Sequence, residues 1–231
     1  MAERVPFEDA IKRILMANLS LIDEKKAWLD YINFEIGCDE MVRARLLYER
    51  ALVSLDLDHQ FWLSYINFIQ QTLKDASLVR AKFESRRAST SSQNVGDLVE
   101  LMIEHALFEE EQQQIPKARM IYETLTNEVA PGYVKAILAF ISFERRMGSN
   151  EKVKELYYKA FNKALDKKDG QAVTYISMQY ARFLAFKSND VGRAIDILDQ
   201  ATNLIKDSKV LYLSKANFLR HLEGCGVVQL L

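Results

Sequence analysis

The sequence predicts an all-α fold, a right-handed α-α superhelix of stacked helix pairs. Three observations lead there. Glycine and proline are scarce, 8 and 3 in 231 residues, too few for the turn-rich chain of an all-β fold. An aromatic pattern recurs, with AWLDYINFEI at 27–36 returning as FWLSYINFIQ at 61–70. Each aromatic segment is followed by a second segment of helical period that carries small residues at fixed places. A helix pair of this size cannot bury both its faces alone, so neighbouring pairs must stack.

Residues 1–23 read as an N-terminal lead-in. The first aromatic segment places Trp28, Tyr31 and Glu35 at i, i+3 and i+7, on one face of a helix A. Phe34 closes the pattern, and Trp62, Tyr65 and Phe68 repeat it 34 positions later. Met102, His105, Phe108 and Glu109 hold the same frame in a third copy, and Ile137, Phe140, Phe143 and Glu144 in a fourth. A fifth copy keeps Tyr180 and Phe183, a sixth Tyr212 and Phe218. The last aromatic of the frame thus falls at 34, 68, 108, 143, 183 and 218, always as phenylalanine.

Each helix A is followed by a helix B: VRARLLYERAL at 42–52, VRAKFESRRAS at 79–89, PKARMIYETL at 116–125, KVKELYYKAF at 152–161 and GRAIDILDQA at 192–201. Tyr48, Tyr122 and Tyr157 share a position there. One small position is read at Ala44, Ala81, Ala118, Val153 and Ala194, and a second at Ala51, Ala88, Ala160 and Ala201. Small residues let a neighbouring helix approach, and the aromatics fill the gap. Gly37, Pro116, Gly148 and Ser188-Asn189-Asp190 mark turns or helix starts. Two polar stretches, 88–97 and 167–170, read as loops within one continuous solenoid. It spans residues 24–223 as about five helix pairs and an unpaired sixth helix A, before a truncated tail at 224–231.

A charge pattern follows the repeat. Glu35, Glu109 and Glu144 are followed ten residues later by Arg45, Arg119 and Lys154. The second copy has Ile69 for the acid and keeps a base at Lys82, while the fifth has Leu184 and Ile195. A carboxylate on the apolar stripe is costly to bury alone. The expectation is therefore that each acid on helix A pairs with the base on helix B of its own unit.

Bulk properties narrow the function. With 31 basic and 32 acidic residues the net charge is −1, which excludes a chain-wide nucleic-acid-binding surface. Cys38 and Cys225 are far apart and belong to no CxxC pair, and they read as reduced thiols. The chain opens without an apolar run of signal-peptide length, and no stretch approaches the ~20 apolar residues of a membrane span; a soluble intracellular protein is expected. His59, His105 and His221 belong to no catalytic or metal motif, and His105 holds an aromatic repeat position, so no enzyme activity, metal or cofactor is expected.

The W-x-x-Y-x-x-F-E helix followed by R-x-x-Y-E-R-A resembles the HAT (half-a-TPR) repeat, a TPR-like helix pair of RNA-processing proteins, over about residues 24–223. FEDAIKR at 7–13 followed by KKAWLDYINFEI at 25–36, then RARLLYERAL, FWLSYINFI, EHALFEEEQ and AILAFISFERRMGSNEKVKELY, is similar to the C-terminal HAT domain of the pre-mRNA-processing factor 39 family. The resemblance implies a nuclear, non-catalytic scaffold of pre-mRNA splicing. Its partners would be proteins of the U1 small nuclear ribonucleoprotein, which recognises 5′ splice sites, and it would dimerise through C-terminal HAT repeats. The sequence departs from the family after Leu222, where EGCGVVQLL supplies no helix B. It reads there as a fragment or truncated product, which puts family-type dimerisation in question and leaves the last helix expected to carry an uncovered apolar face. Arg80, Lys82, Arg86 and Arg87 form a candidate basic patch for RNA or a partner. Two alternatives therefore stand: a direct RNA-binding module, and a HAT scaffold of 3′-end cleavage or ribosome biogenesis.

Overall fold

The computed structural model describes residues 2–17, 20–55, 58–89, 95–206 and 208–224. Among the described residues there are twelve α-helices and no strand, so the all-α class holds. The chain divides into two compact units, Met1–Ser89 and Thr90–Leu231, a division that falls in the polar stretch read as a loop. In the first unit a 3-10 turn at Ala2–Arg4 leads into α1 (Val5–Met16), followed by α2 (Leu21–Gly37), α3 (Met41–Ala51), α4 (His59–Phe68) and α5 (Ala76–Ser89). The second unit holds α6 (Val95–Glu111), α7 (Ile115–Thr124), α8 (Val134–Arg146), α9 (Asn150–Asp166), α10 (Gly170–Lys187), α11 (Val191–Leu204) and α12 (Lys209–Gly224). Even-numbered helices are the A helices, and α3, α5, α7, α9 and α11 are the B helices. No helix among the described residues is long and apolar enough to cross a membrane. Cys38 is an exposed free thiol; Cys225 and the tail from 225 onward lie outside the described residues.

Short polar side chains start several helices by satisfying open backbone N–H groups. Ser20 Oγ accepts from the Asp23 N–H, Asp58 Oδ1 from Phe61, Asp169 Oδ1 from both Gln171 and Ala172, and Asp190 Oδ1 from Arg193. Asp58 also accepts from Lys25 Nζ at 2.9 Å, tying α2 to the start of α4.

The A-to-B turns come in two lengths, and the length follows the repeat's glutamate. In copies one, three and four, the carbonyl of Glu35, Glu109 or Glu144 accepts from an N–H five residues on, that of Glu40, Gln114 or Ser149, at 2.8–3.0 Å. The residue between, Asp39, Gln113 or Gly148, has a left-handed backbone with φ of 59–75°. This is a Schellman closure, which satisfies the last carbonyls of a helix. Where Ile69 and Leu184 replace the glutamate, the left-handed residue arrives one position later, at Lys74 and Asn189. In the second copy a π-helical turn, Ile69–Leu73, takes up the extra residue.

That extra residue corrects the expected frame of α5. The buried residues there are Val79 and Phe83, whereas Ala81 and Ala88 are exposed. Val79, not Ala81, therefore holds the small position, Arg80 rather than Lys82 the basic one, and Phe83 the position of Tyr48. The remaining small positions stand as expected: Ala44, Ala51, Ala118, Val153, Ala194 and Ala201 have no exposure, and Ala160 is 3% exposed.

Most of the core of the second unit is one cluster running from Ala106 through Phe140, Phe161 and Tyr180 to Leu222. Phe140 is 1% exposed within it. Phe140→Ala is expected to lower unfolding free energy by about 3–5 kcal/mol in urea titration, whereas Met16→Ala, at a side chain 85% exposed, should leave it unchanged.

Candidate functional site

The repeat signature assembles between pairs, not within them. Tyr48 on α3 lies against Tyr65 and Phe68 of α4, with ring centroids 5.0 and 5.3 Å apart. Tyr122 on α7 meets Phe140 and Phe143 of α8 at 5.4 and 5.2 Å, and Tyr157 on α9 meets Tyr180 and Phe183 of α10 at 5.3 and 5.7 Å. In each case the ring on helix B stacks nearly flat on the first aromatic and is tilted on the second. Offset and tilted pairs of this kind add to the gain from area burial alone. Burial pushes the Tyr122 hydroxyl up to about 12.

The lead-in belongs to the same scheme. Phe7 on α1 stacks on Tyr31 at 5.2 Å and 7° and is tilted on Phe34 at 5.0 Å. Helix α1 is thus placed against α2 as a helix B is placed against the next helix A. Its sequence carries the mark: Arg4 and Phe7 have the i, i+3 spacing of Arg45 and Tyr48, Arg119 and Tyr122, and Lys154 and Tyr157.

This spacing overturns the expected partners of the buried acids. Glu35 is fully buried and receives Arg4 Nε at 2.6 Å and Nη2 at 3.0 Å. Glu144, also fully buried, receives Arg119 Nε and Nη2 at the same two distances. The base comes from the preceding helix B. The reason is geometric: a residue three positions before the stacking aromatic shares its face of helix B, and that face looks onto the following helix A. Arg45 has only Ile69 ahead of it and turns to Glu49, 3.4 Å away on its own helix. Lys154 has Leu184 ahead of it and turns to Glu151 at 3.2 Å. Glu109 is 2% exposed, with His105 Nε2 at 3.7 Å. The bidentate bond to Glu144 raises the Arg119 pKa further, and the bond to Glu35 does the same for Arg4.

A second acid recurs one residue after the stacking position and was missed in the sequence. Glu49 Oε1 accepts from the Tyr65 hydroxyl at 2.8 Å and from Lys82 Nζ at 2.9 Å. Glu8 accepts from both Nη atoms of Arg50. In the last junction Asp199 accepts from Lys215, which takes the tyrosine's place. Burial opposes ionisation of Glu49, but the bonds from Lys82 and Tyr65 prevail and hold its carboxyl below the usual range. The Arg50 fork does the same for Glu8.

The tryptophans are roofed by arginines. Trp28, 2% exposed, donates its indole N–H to Glu24 and lies 5.2 Å beneath Arg50; Trp62 lies 5.4 Å beneath Arg86. The basic patch expected on α5 is therefore divided. Arg86 covers Trp62, Lys82 is bound to Glu49 and sits over Tyr65, and Arg87 is exposed. The signature residues thus build junctions, and what they leave to partners is the surface between junctions.

A protein assembled from such helix pairs, joined through aromatic triads and, at α1–α2 and α7–α8, through a buried acid as well, is of the HAT-repeat class. The PRP39 C-terminal HAT repeat family model matches residues 2–146, and the chain belongs to that family. It is similar to pre-mRNA-processing factor 39 of Mus musculus, 27% identical over 99% of this chain and 33% of that protein. The protein of the same name from Schizosaccharomyces pombe is 30% identical over 64% of this chain and 24% of its own length, and that from Homo sapiens 27% over 93% and 31%. The chain thus spans about a third or less of the length of these relatives.

Two outcomes test the junction. Arg119→Ala strands a carboxylate in the core and is expected to cost about 3 kcal/mol. Glu144→Leu, the residue natural at 184, should cost about 1 kcal/mol or less, because the part-exposed Arg119 can return to water. Urea unfolding compares them. Acid is the second lever. Since the Glu8 and Glu49 carboxyls are held below their unfolded values, their contribution is complete above about pH 4.3 and is lost as pH falls through the lower folded values. Thermal unfolding between pH 5 and 3 should show this loss, and Glu8→Gln with Glu49→Gln should flatten it.

Proposed function

We propose that the chain is a non-catalytic protein-interaction scaffold of pre-mRNA splicing, associated in the nucleus with proteins of the U1 small nuclear ribonucleoprotein and with 5′ splice-site recognition. The observation that carries this reading is the family match over residues 2–146, together with the naming of the relatives as pre-mRNA-processing factors. The chemistry of the junctions agrees with it. Their carboxylates, tyrosines and arginines are engaged with one another, as in Glu35 with Arg4 and Glu49 with Tyr65 and Lys82. Such a network holds helices in place and displays their outer faces. The division of the α5 basic patch among Trp62, Glu49 and Tyr65 supports a protein partner over an RNA backbone.

The experiment is affinity capture from nuclear extract with the purified chain, with and without ribonuclease, read by mass spectrometry. Proteins of the U1 particle should be enriched and should survive ribonuclease treatment. Enrichment of cleavage or ribosome-assembly factors in their place would sink the proposal. Capture that vanishes with ribonuclease and falls steeply with salt would transfer the function to RNA binding.

A further inference from the structure

The second unit carries a groove whose lining the junction scheme does not use. It runs between α10 and α12 and encloses about 820 Å³. One wall is a stripe of α10, namely Tyr175, Met178 and Arg182; the other comes from Ile205, Val210 and Ser214. The groove continues past Arg182 and Ser214 into a second hollow of about 330 Å³ lined by Phe186, Phe218 and His221. From Tyr175 to Phe186 the α10 wall is about 16 Å long at 1.5 Å per residue.

Its rim is open to solvent, while Met178 is 8% exposed and forms the floor. Tyr175 is 53% exposed, Phe186 46% and Val210 66%. Its charge is one-sided. Lys168 stands at one end and Arg182 at the middle, both exposed, and neither has an ion pair among the described residues. The lining's one carboxylate is Asp169, and it is occupied in capping α10 through the Gln171 and Ala172 N–H groups. A trough that sets Tyr175, Met178, Ile205 and Val210 among Gln171, Thr174, Gln179 and Ser214, with a guanidinium at its centre and an ammonium at its end, is complementary to a chain that alternates aliphatic side chains with carboxylates. Nucleic acid fits worse: its phosphates would meet only Lys168 and Arg182 over the whole length, too few cations for a backbone track.

We propose that this groove is a docking site for an acidic–aliphatic peptide segment of a protein partner, with a carboxylate on Arg182 and aliphatic side chains against Met178, Ile205 and Val210. The proposal rests on the reading of the chain as a protein-binding scaffold and gives that reading a place and a ligand chemistry.

The test uses the whole 231-residue chain and a displayed library of random 12-residue peptides. Enriched sequences are synthesised with a fluorescent label and titrated by anisotropy against the unsubstituted chain, Arg182→Glu and Val210→Asp. Both substitutions are at exposed positions, and circular dichroism checks that each variant folds. Enriched peptides should pair Asp or Glu with Leu, Ile or Met, and each substitution should weaken them by about tenfold or more. A peptide with its carboxylates changed to lysine should regain affinity on Arg182→Glu alone. The proposal is overturned if no peptide is enriched, if enriched peptides lack carboxylates, or if both variants bind as well as the parent. It is also overturned if 12-residue oligouridine displaces the peptide, or if Val210→Asp dissociates a dimer seen by sedimentation. Capture of splicing proteins from nuclear extract by both variants, with no peptide effect, would remove the groove and leave the scaffold. Failure of the unsubstituted chain to capture them would remove the scaffold itself.

Discussion

On α3, α7 and α9 a tyrosine lies nearly flat on an aromatic that belongs to the next helix A. Tyr48, Tyr122 and Tyr157 do this, and Phe7 does it for the lead-in. The contact arises because a two-helix unit has more apolar surface than its own partner helix can cover. Other features follow from it. Alanine or valine must occupy the helix B positions beside the ring, because a larger side chain would hold the neighbouring helix away. A basic residue three positions earlier is carried onto the same face, where a buried carboxylate can receive it. The following acid, as in Glu49, reaches the hydroxyl of the stacked tyrosine.

The buried glutamate has two connections. Its side chain receives the arginine of the preceding helix, and its main-chain carbonyl receives the N–H that ends its own helix. Copies that lack the acid also lack the short turn, and their left-handed residue comes one position later. Removing the carboxylate eliminates the need for a base, which is why Arg45 and Lys154 are free to find acids on their own helices. In the corrected frame, the joint absence of charge at Leu184 and Ile195 is no longer a matched pair. Each faces a different neighbour.

Helix positions, the aromatic frame and the burial of Glu35, Glu109 and Glu144 were legible in the sequence, because period and residue type determine which face is apolar. The direction of pairing is hidden, since ten-residue spacing within a unit suggests a local partner while the controlling signal is the three-residue spacing of base and aromatic. The frame of α5 is hidden as well. A one-residue lengthening of the turn after Ile69 has no strong marker such as glycine, and both Val79 and Ala81 are small enough for the site. The role of the lead-in is visible in Arg4, Phe7 and Ala10, but phenylalanine in place of tyrosine and Glu3 at the first small position conceal it. The groove between α10 and α12 depends on which side chains remain uncovered, and periodicity alone says nothing of that.

The one-way reach of the base makes the repeats directional parts. A helix A that carries glutamate needs a base-bearing helix B before it, whereas one that carries isoleucine or leucine accepts either. Helix α8 could be transplanted to follow α3 or α9, where Arg45 or Lys154 would meet Glu144. Placed after α11, it would meet Ile195, and its carboxylate would have no answering charge. Recombination between copies, natural or engineered, is therefore open in most orders and closed where α2, α6 or α8 would follow α11, and chimeras of such arrays have a rule of succession that alignment by similarity does not reveal.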